Sequence, residues 1–144
     1  MVSAPTDALI TDILTGTKTV ACLGASVNPA RASYGVMAFL QGKGMRVIPV
    51  NPAYAGQTML GEGVVDSLAA CPVAIDMVDV FRRADAMPDV VDEVLGLTDR
   101  PRVLWTQLDV VHDTAAQRAR AAGLTVVQDR CPKIEWARLG LARL

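Results

Sequence analysis

The segment KTVACLGASVNPARASYGVMAFLQGKGMRVIPV, residues 18–50, decides the fold. Residues 18–24 form a short apolar run that ends in glycine, which is typical of a buried strand. Apolar side chains then recur at helical spacing over residues 33–44, and Ser33 is the expected N-cap of this helix. Residues 45–50 form a second apolar run of strand length. The segment therefore predicts a strand–helix–strand unit with parallel strands.

The same alternation continues along the chain. Strands that alternate with helices at this spacing predict right-handed crossovers and a parallel sheet with helices on both faces. The predicted fold is α/β: a Rossmann-like, doubly wound, five-stranded parallel sheet with strand order 3-2-1-4-5. We expect a single domain over residues 1–144, with residues 1–17 as a helical lead-in. The remaining predicted elements are a short helix at 63–71, a strand at 74–80, a helix at 83–97, a strand at 102–108, a helix at 113–123 with Asp113 as its cap, a strand at 124–129 and a closing helix at 131–144.

Composition and charge argue against several classes of protein and of binding site. The chain has 144 residues, of which 51% are hydrophobic, and this suits one packed domain. The formal net charge of −1 indicates no broad attraction to nucleic acid or to an anionic membrane, so phosphate binding would need a local site. Three widely spaced cysteines argue against a disulfide framework and a zinc site. With no signal-peptide pattern and no long apolar stretch, we expect a cytoplasmic protein.

A ligand of such a sheet binds at the carboxyl ends of the strands, where the strand order reverses beside strand one. The loops at that edge are therefore the candidate binding loops. They comprise residues 24–34, 51–57, 80–83, 105–112 and 129–133.

The first of these loops, GASVNPARASYG, carries groups suited to phosphate. Gly24 permits a tight turn, and the following helix directs its free amides at the crevice. Ser26 and Ser33 add hydroxyl groups and Arg31 adds a cation. The dinucleotide fingerprint GxGxxG is incomplete, since Ser26 and Pro29 occupy its other glycine positions. The alternative is that Ser33 only caps its helix and that Arg31 is solvated.

The end of the second strand distinguishes two ligand classes. An NAD site favours an acid there, which holds the ribose hydroxyls. This chain has Asn51 and Pro52, and no acid appears before Glu62. The missing acid disfavours NAD and suits a ribose that carries an additional phosphate. The alternative is that Asn51 and Pro52 only mark a turn.

Two later loops offer aromatic and polar groups. Phe81 gives a flat apolar surface for a purine, and Arg82 gives a guanidinium for phosphate or stacking. The alternative places Phe81 in the core and Arg82 on the surface. Trp105 and Gln107 are expected at the lip of the crevice, where Gln107 would orient a polar group of the ligand. For Trp105, a core position is the commoner alternative.

The sequence contains no recognisable catalytic constellation. His112 is the only histidine, and no nucleophile elbow accompanies it, so we expect it near a helix start with a structural role. Cys131 lies before the last helix, where a thiol can have a lowered pKa. A buried, unreactive thiol is the commoner case. These residues predict a protein that holds a ligand rather than one that transforms it.

Six motifs together resemble a known family. They run in the family's order from about residue 20 to the end of the chain, and they are VACLGAS, NPARASYGV, GMRVIPVNPAYAGQ, DMVDVFRR, LWTQLDVV and VVQDRCPKIEWARL. The chain resembles the small stand-alone CoA-binding proteins, whose domain is similar to the N-terminal CoA-binding domain of the succinyl-CoA synthetase α subunit. The resemblance implies a Rossmann-like fold that binds coenzyme A through its ADP and pantetheine portions.

The resemblance also implies roles for particular residues. Asn51 and Pro52 would line the cleft on the adenosine side, and Trp105 and Gln107 would close its other side. Val80, Phe81 and Arg82 would flank the nucleotide. The residues that would hold the phosphates are Gly24, Ala25, Ser26, Pro29, Arg31, Ser33 and Tyr34.

Two positions depart from the family pattern. The family often has a cation where this chain has Ala53, and commonly has glycine where this chain has Asp109. The synthetase domain that carries the phosphorylated histidine has no counterpart here, so the resemblance implies binding without ligase activity. We expect a non-enzymatic CoA or acyl-CoA binding protein. The alternatives are a partner-dependent subunit of an acyl-CoA ligase or transferase, and an NAD(H)-binding regulatory domain.

Overall fold

Five parallel strands form the central sheet of the computed structural model, which describes residues 4–142. A two-stranded antiparallel hairpin lies beside this sheet. The strands are β1 (Thr19–Leu23), β2 (Arg46–Val50), β3 (Thr58–Met59), β4 (Glu62–Gly63), β5 (Met77–Val80), β6 (Val103–Thr106) and β7 (Thr125–Val127). The helices are α1 (Asp7–Gly16), α2 (Ala32–Gly42), α3 (Met87–Leu95), α4 (Asp113–Ala121) and α5 (Pro132–Leu139). The predicted α/β class and its parallel sheet are confirmed, while residues 1–3 and 143–144 of the predicted terminal helices lie outside the described residues.

The strand order differs from the predicted order. The sheet runs β2-β1-β5-β6-β7, so the third long strand pairs with β1 and not with β2. In the numbering of the five predicted strands the order is 2-1-3-4-5, and the predicted 3-2-1-4-5 is wrong. The connection over residues 51–76 begins on the α2 face, where Met59 and Val64 pack, and ends on the opposite face, where Leu68 and Ile75 pack, so the chain reaches β5 from the face opposite to α2. Because crossovers are right-handed, a connection on the opposite face must carry the chain in the opposite direction.

The two faces of the sheet are covered by different helices. Alternating side chains of each strand point to opposite faces, as in any pleated sheet. Val20, Cys22 and Trp105 pack with α1, α2 and α5, on what is called here the first face. Ala21, Leu23 and Leu104 pack with α3 and α4 on the second face. The buried layers on both faces hold the carboxyl ends of the strands, and hence the loops, in fixed positions.

Residues 63–71 do not form the predicted helix. The β-branched Val65 instead extends the sheet by one parallel bridge to Val50 of β2. Its amide donates to the carbonyl of Pro49, and the amide of Asn51 donates to its carbonyl. A turn of 3₁₀ helix at Leu68–Ala70 follows. The backbone at this edge of the sheet is therefore paired with a covering segment.

The start of α4 also differs from the prediction. Its N-cap is His112 and not Asp113, because the imidazole Nδ1 accepts a hydrogen bond from the amide of Ala115 at 3.1 Å. The expected position of His112 near a helix start is confirmed. None of the helices in residues 4–142 combines the length and apolarity needed to cross a bilayer.

Candidate functional site

The first loop and the loop after β5 meet at the carboxyl edge of the sheet. Gly24 follows β1 with φ +88°, and its amide donates to the carbonyl of Val50 at 2.9 Å. A Cβ atom on Gly24 would lie 2.6 Å from the carbonyl oxygen of Phe81. Both the positive φ and this close approach require glycine. The reversal of strand order falls between β1 and β5, so these two loops form the centre of the crevice.

Hydrogen bonds within the first loop hold its backbone in one conformation. The amide of Ser26 donates to the Ser33 hydroxyl at 3.1 Å, and the amide of Asn28 donates to the Ser26 hydroxyl at 3.1 Å. The Asn51 side-chain amide donates to the carbonyl of Ala25 at 2.8 Å and thereby ties the second loop to the first. The hydroxyl groups of both serines are therefore engaged as acceptors by the loop itself.

Ser33 is not the N-cap of α2, contrary to the prediction. The N-cap is Arg31, which makes no side-chain capping hydrogen bond. The Ser33 hydroxyl does not cap the helix because it is buried and accepts from the amide of Ser26. Within residues 4–142, the first-turn amides of Ala32 and Ser33 therefore have no hydrogen-bond acceptor. Free amides and the positive end of the helix dipole favour an anion at this position.

A small cavity of about 310 Å³ lies in front of these amides. Arg31 is exposed and forms no ion pair within the described part of the chain, so its guanidinium is available to a ligand. This phosphate-type cavity is lined by Gly24, Ser26, Arg31, Ala32, Ser33, Asn51, Tyr54 and Phe81.

A larger cavity of about 890 Å³ adjoins the small one, and both are bordered by Ala32 and Phe81. Its wall is mainly apolar, with two exposed cations, Arg82 and Lys133, at its margin. The neighbouring Arg83 is engaged with Asp85 at 2.6 Å. The larger cavity is lined by Ala32, Gly35, Val36, Phe81, Arg82, Arg83, Ala84, Gln107, Leu108, Asp109, Val110, Cys131, Lys133 and Ile134.

A fully buried carboxyl group contacts Gln107, which lines the larger cavity. Asp79 of β5 points to the first face, and both of its oxygens accept from Gln107 Nε2, at 2.9 and 3.0 Å. Burial raises the pKa of Asp79 from 3.8 to about 7, and the hydrogen bond from Gln107 partly opposes this rise. Cys22 on the adjacent strand is also fully buried, and burial raises the pKa of its thiol well above the usual range.

Asp109 occupies a position that favours glycine. Its φ is +68°, and its amide donates to the Asp129 carboxylate at 2.7 Å, so the loop after β6 is bound to the loop after β7. This left-handed conformation favours glycine, which is the residue that the resemblance implies at this position. Asp109 is also one of the residues that line the larger cavity.

The structure brings together eight of the fourteen residues named from the sequence. Ala25, Val80 and Trp105 are buried and line neither cavity, so Trp105 has the core position that was its alternative. Its indole nitrogen donates to the carbonyl of Arg130 at 2.8 Å. Pro29, Tyr34 and Pro52 also line neither cavity. The eight lining residues are Gly24, Ser26, Arg31, Ser33, Asn51, Phe81, Arg82 and Gln107.

Some lining residues were missed by the sequence reasoning. Tyr54 reaches the small cavity from a 3₁₀ turn that Asn51 caps, and the NP dipeptide before it was the available signal. Lys133 and Ile134 border the larger cavity from the first turn of α5. Charge and exposed apolarity directly after the last strand were the signals for these two residues.

Comparisons with known proteins bear on the same region. A family model described as a CoA binding domain matches residues 18–137. The uncharacterized protein YneT of Bacillus subtilis (strain 168) is 39% identical over 133 residues, which cover 92% of this chain and 96% of YneT. The structure of cell-free ID.343 from Thermus thermophilus has a TM-score of 0.88 and 37% identity, and the match covers 94% of this chain and 99% of that one. A hypothetical protein from Pyrococcus horikoshii OT3 has a TM-score of 0.88 and 32% identity, and the match covers 98% of this chain and 99% of that one. Both cavities lie within the region that the family model matches.

Proposed function

The chain belongs to the family of CoA binding domains, and on that premise we propose that it binds coenzyme A or an acyl-CoA without transforming it. The observation that carries the proposal is the pair of adjoining cavities at the strand-order reversal. One is small and suited to an anion, and the other is larger and mainly apolar. Coenzyme A has a similar division, since its phosphates adjoin the long pantetheine arm, whose methyl and methylene groups are interspersed with two amides.

The small cavity supports phosphate binding through groups that have no partner in residues 4–142. The amides of Ala32 and Ser33 are free within the described residues, and Arg31 is unpaired there. Two amides, a helix N-terminus and a guanidinium form a recurring type of anion site. The protein's small net charge gives no general attraction to anions, so these local groups supply the binding.

The end of β2 supports CoA over NAD. Asn51 stands where an NAD site favours an acid, and its side chain is occupied by the carbonyl of Ala25 and the amide of Ala53. It therefore stabilises the loop instead of holding ribose hydroxyls. No carboxylate from this position would repel a ribose that carries an additional phosphate.

The described residues also support binding without chemistry. The Nδ1 atom of His112 is occupied by the amide of Ala115, and His112 lines neither cavity. Within the described residues, no group of three or more His, Cys, Asp or Glu side chains is arranged to hold a metal ion. Cys22, Cys71 and Cys131 are free thiols, which suits the reducing cytoplasm, and the proposal places the protein there.

Isothermal titration calorimetry with CoA, acetyl-CoA and NAD tests this proposal. We expect saturable binding of the CoA compounds, weakened about tenfold by Arg82→Ala and more strongly by Ser26→Glu, which places a carboxylate beside the phosphates. Arg100→Ala is the matched control, because Arg100 is an exposed arginine whose guanidinium donates to the carbonyl of Leu95, away from both cavities. Circular dichroism establishes that each variant is folded. If folded wild-type protein binds no CoA compound, or binds NAD in preference, the proposal is wrong.

A further inference from the structure

Asp79 is an unusual residue for the interior of this sheet. It is fully buried in the central strand β5, and within residues 4–142 its side chain has one hydrogen-bond partner, Gln107. No cation pairs with it among those residues. Its neighbours in register on β1 and β6 are Cys22 and Trp105. A buried carboxyl without a cation costs stability, and an apolar residue would fill this position without that cost.

The contact with Asp79 sets the direction of the Gln107 amide. At pH 8, where Asp79 is ionised, its carboxylate only accepts hydrogen bonds, so the NH₂ group of Gln107 must face it and the oxygen Oε1 must point away. Oε1 has no hydrogen-bond donor among the described residues. No buried side-chain nitrogen or oxygen there lacks a partner, so Oε1 is not enclosed. Gln107 lines the larger cavity, so its unenclosed Oε1 can serve as an acceptor there.

We propose that Asp79 is a positioning residue that holds Gln107 with its amide oxygen toward the larger cavity, where it accepts a hydrogen bond from a donor group of the ligand. This inference rests on the proposed CoA binding and identifies which part of the ligand the cavity recognises. Without the carboxylate, the amide could turn and present NH₂ or oxygen equally. With it, the cavity favours a donor over an acceptor.

Coenzyme A offers hydrogen-bond donors in two portions. One is the pantetheine arm, with two amides and a hydroxyl group, and the other is the adenosine, with an amino group and a ribose hydroxyl. The phosphates, which accept hydrogen bonds, do not match Oε1. Adenosine 3′,5′-bisphosphate contains the adenine group but no pantetheine, so a comparison of it with CoA separates the two sources.

A charge-exchange pair of variants tests the positioning role at pH 8. Gln107→Glu places two carboxyl groups about 3 Å apart, and when both are ionised their repulsion is expected to weaken CoA binding at least tenfold. In the double variant Asp79→Asn and Gln107→Glu, the amide introduced at position 79 can donate to the carboxylate introduced at position 107. The second oxygen of that carboxylate then remains directed toward the cavity as an acceptor. We expect the double variant to recover CoA affinity to within about threefold of wild type. Asp79→Leu, which fills the position without holding Gln107, should lower CoA affinity about three- to tenfold.

Each outcome distinguishes the positioning role from a structural one. Affinity is measured by calorimetry on protein whose fold is established by circular dichroism, with Arg100→Ala as the control for a remote change. If a variant loses affinity for CoA but not for adenosine 3′,5′-bisphosphate, the donor lies in pantetheine. If it loses affinity for both equally, the donor lies in the adenosine portion. If wild type binds CoA and all three variants bind it equally well, or if the double variant is no better than Gln107→Glu, the positioning role is wrong. If wild type binds no CoA, the proposed function itself fails.

Discussion

Replacing Asp79 with Asn should change how stability depends on pH. The folded protein raises the pKa of Asp79 from 3.8 to about 7 because the carboxyl is fully buried. At about 1.4 kcal/mol for each pH unit, ionisation in the folded state is penalised by about 4 kcal/mol. Asn has nearly the same shape and can still accept from Gln107, but it does not ionise.

The direction of this pH dependence follows from which state, folded or unfolded, holds the proton on Asp79. Between about pH 4 and pH 7 the folded protein keeps a proton on Asp79 that the unfolded chain releases. The contribution of this group to the free energy of unfolding therefore falls as pH rises through that range and is constant above it. Asp79→Asn should lack this fall, so its stability relative to wild type should rise by up to about 4 kcal/mol from pH 4 to pH 8.

Urea unfolding of both proteins at half-unit intervals from pH 4 to pH 8.5 measures this difference. Asp7, Asp85 and Glu135 have lowered pKa values from nearby arginines, but they are present in both proteins and cancel in the comparison. Asp66→Asn, at an exposed position, controls for the loss of a surface carboxyl. If the Asp79→Asn and wild-type curves are parallel across the whole range, Asp79 is not held as a neutral acid and the reasoning fails.

Three further predictions concern the loops around the cavities. Gly24→Ala should cost about 3 kcal/mol or more in urea unfolding, because its Cβ would lie 2.6 Å from the carbonyl oxygen of Phe81 at φ +88°, and an unchanged midpoint would contradict that contact. Asp109→Gly and Asp109→Asn should both tighten CoA binding severalfold at low salt by removing the carboxylate of a residue that lines the larger cavity, and a gain with Gly alone would exclude charge as the cause. Ala53→Lys should raise CoA affinity about threefold in low-salt calorimetry, whereas Ala70→Lys, also in an exposed 3₁₀ turn, should not, and equal gains would show a nonspecific charge effect.

The sequence was sufficient to predict each long strand, because each is a short apolar run between turn signals. The prediction of 18–24 contains β1 at Thr19–Leu23, and 45–50 contains β2 at Arg46–Val50. The pattern could not show which side of β1 the third strand takes. That choice depends on the face from which the connection reaches β5, and the apolar side chains of residues 51–76 pack on both faces.

The error in strand order explains what was missed in the site. With the predicted order, Phe81 would lie at the far edge of the sheet; with the observed order it lies beside Gly24. The contact between Asp79 and Gln107 likewise requires that β5 and β6 be neighbours. Such contacts join residues far apart in the chain, whereas local patterns predicted the loops that contain Gly24, Phe81 and Gln107. The inward turn of the Ser33 hydroxyl is a matter of side-chain geometry that residue type alone does not determine.

The position of Phe81 between the two cavities has a consequence for affinity. A ligand that spans this boundary engages two subsites joined by its own covalent chain, so binding at one raises the effective concentration at the other. Affinity then depends on the length and flexibility of the connecting part of the ligand as much as on either contact surface. Adenosine 3′,5′-bisphosphate and pantetheine, added together but unlinked, should therefore bind far more weakly than coenzyme A. The covalent link between the two portions of the ligand would thus itself contribute to affinity.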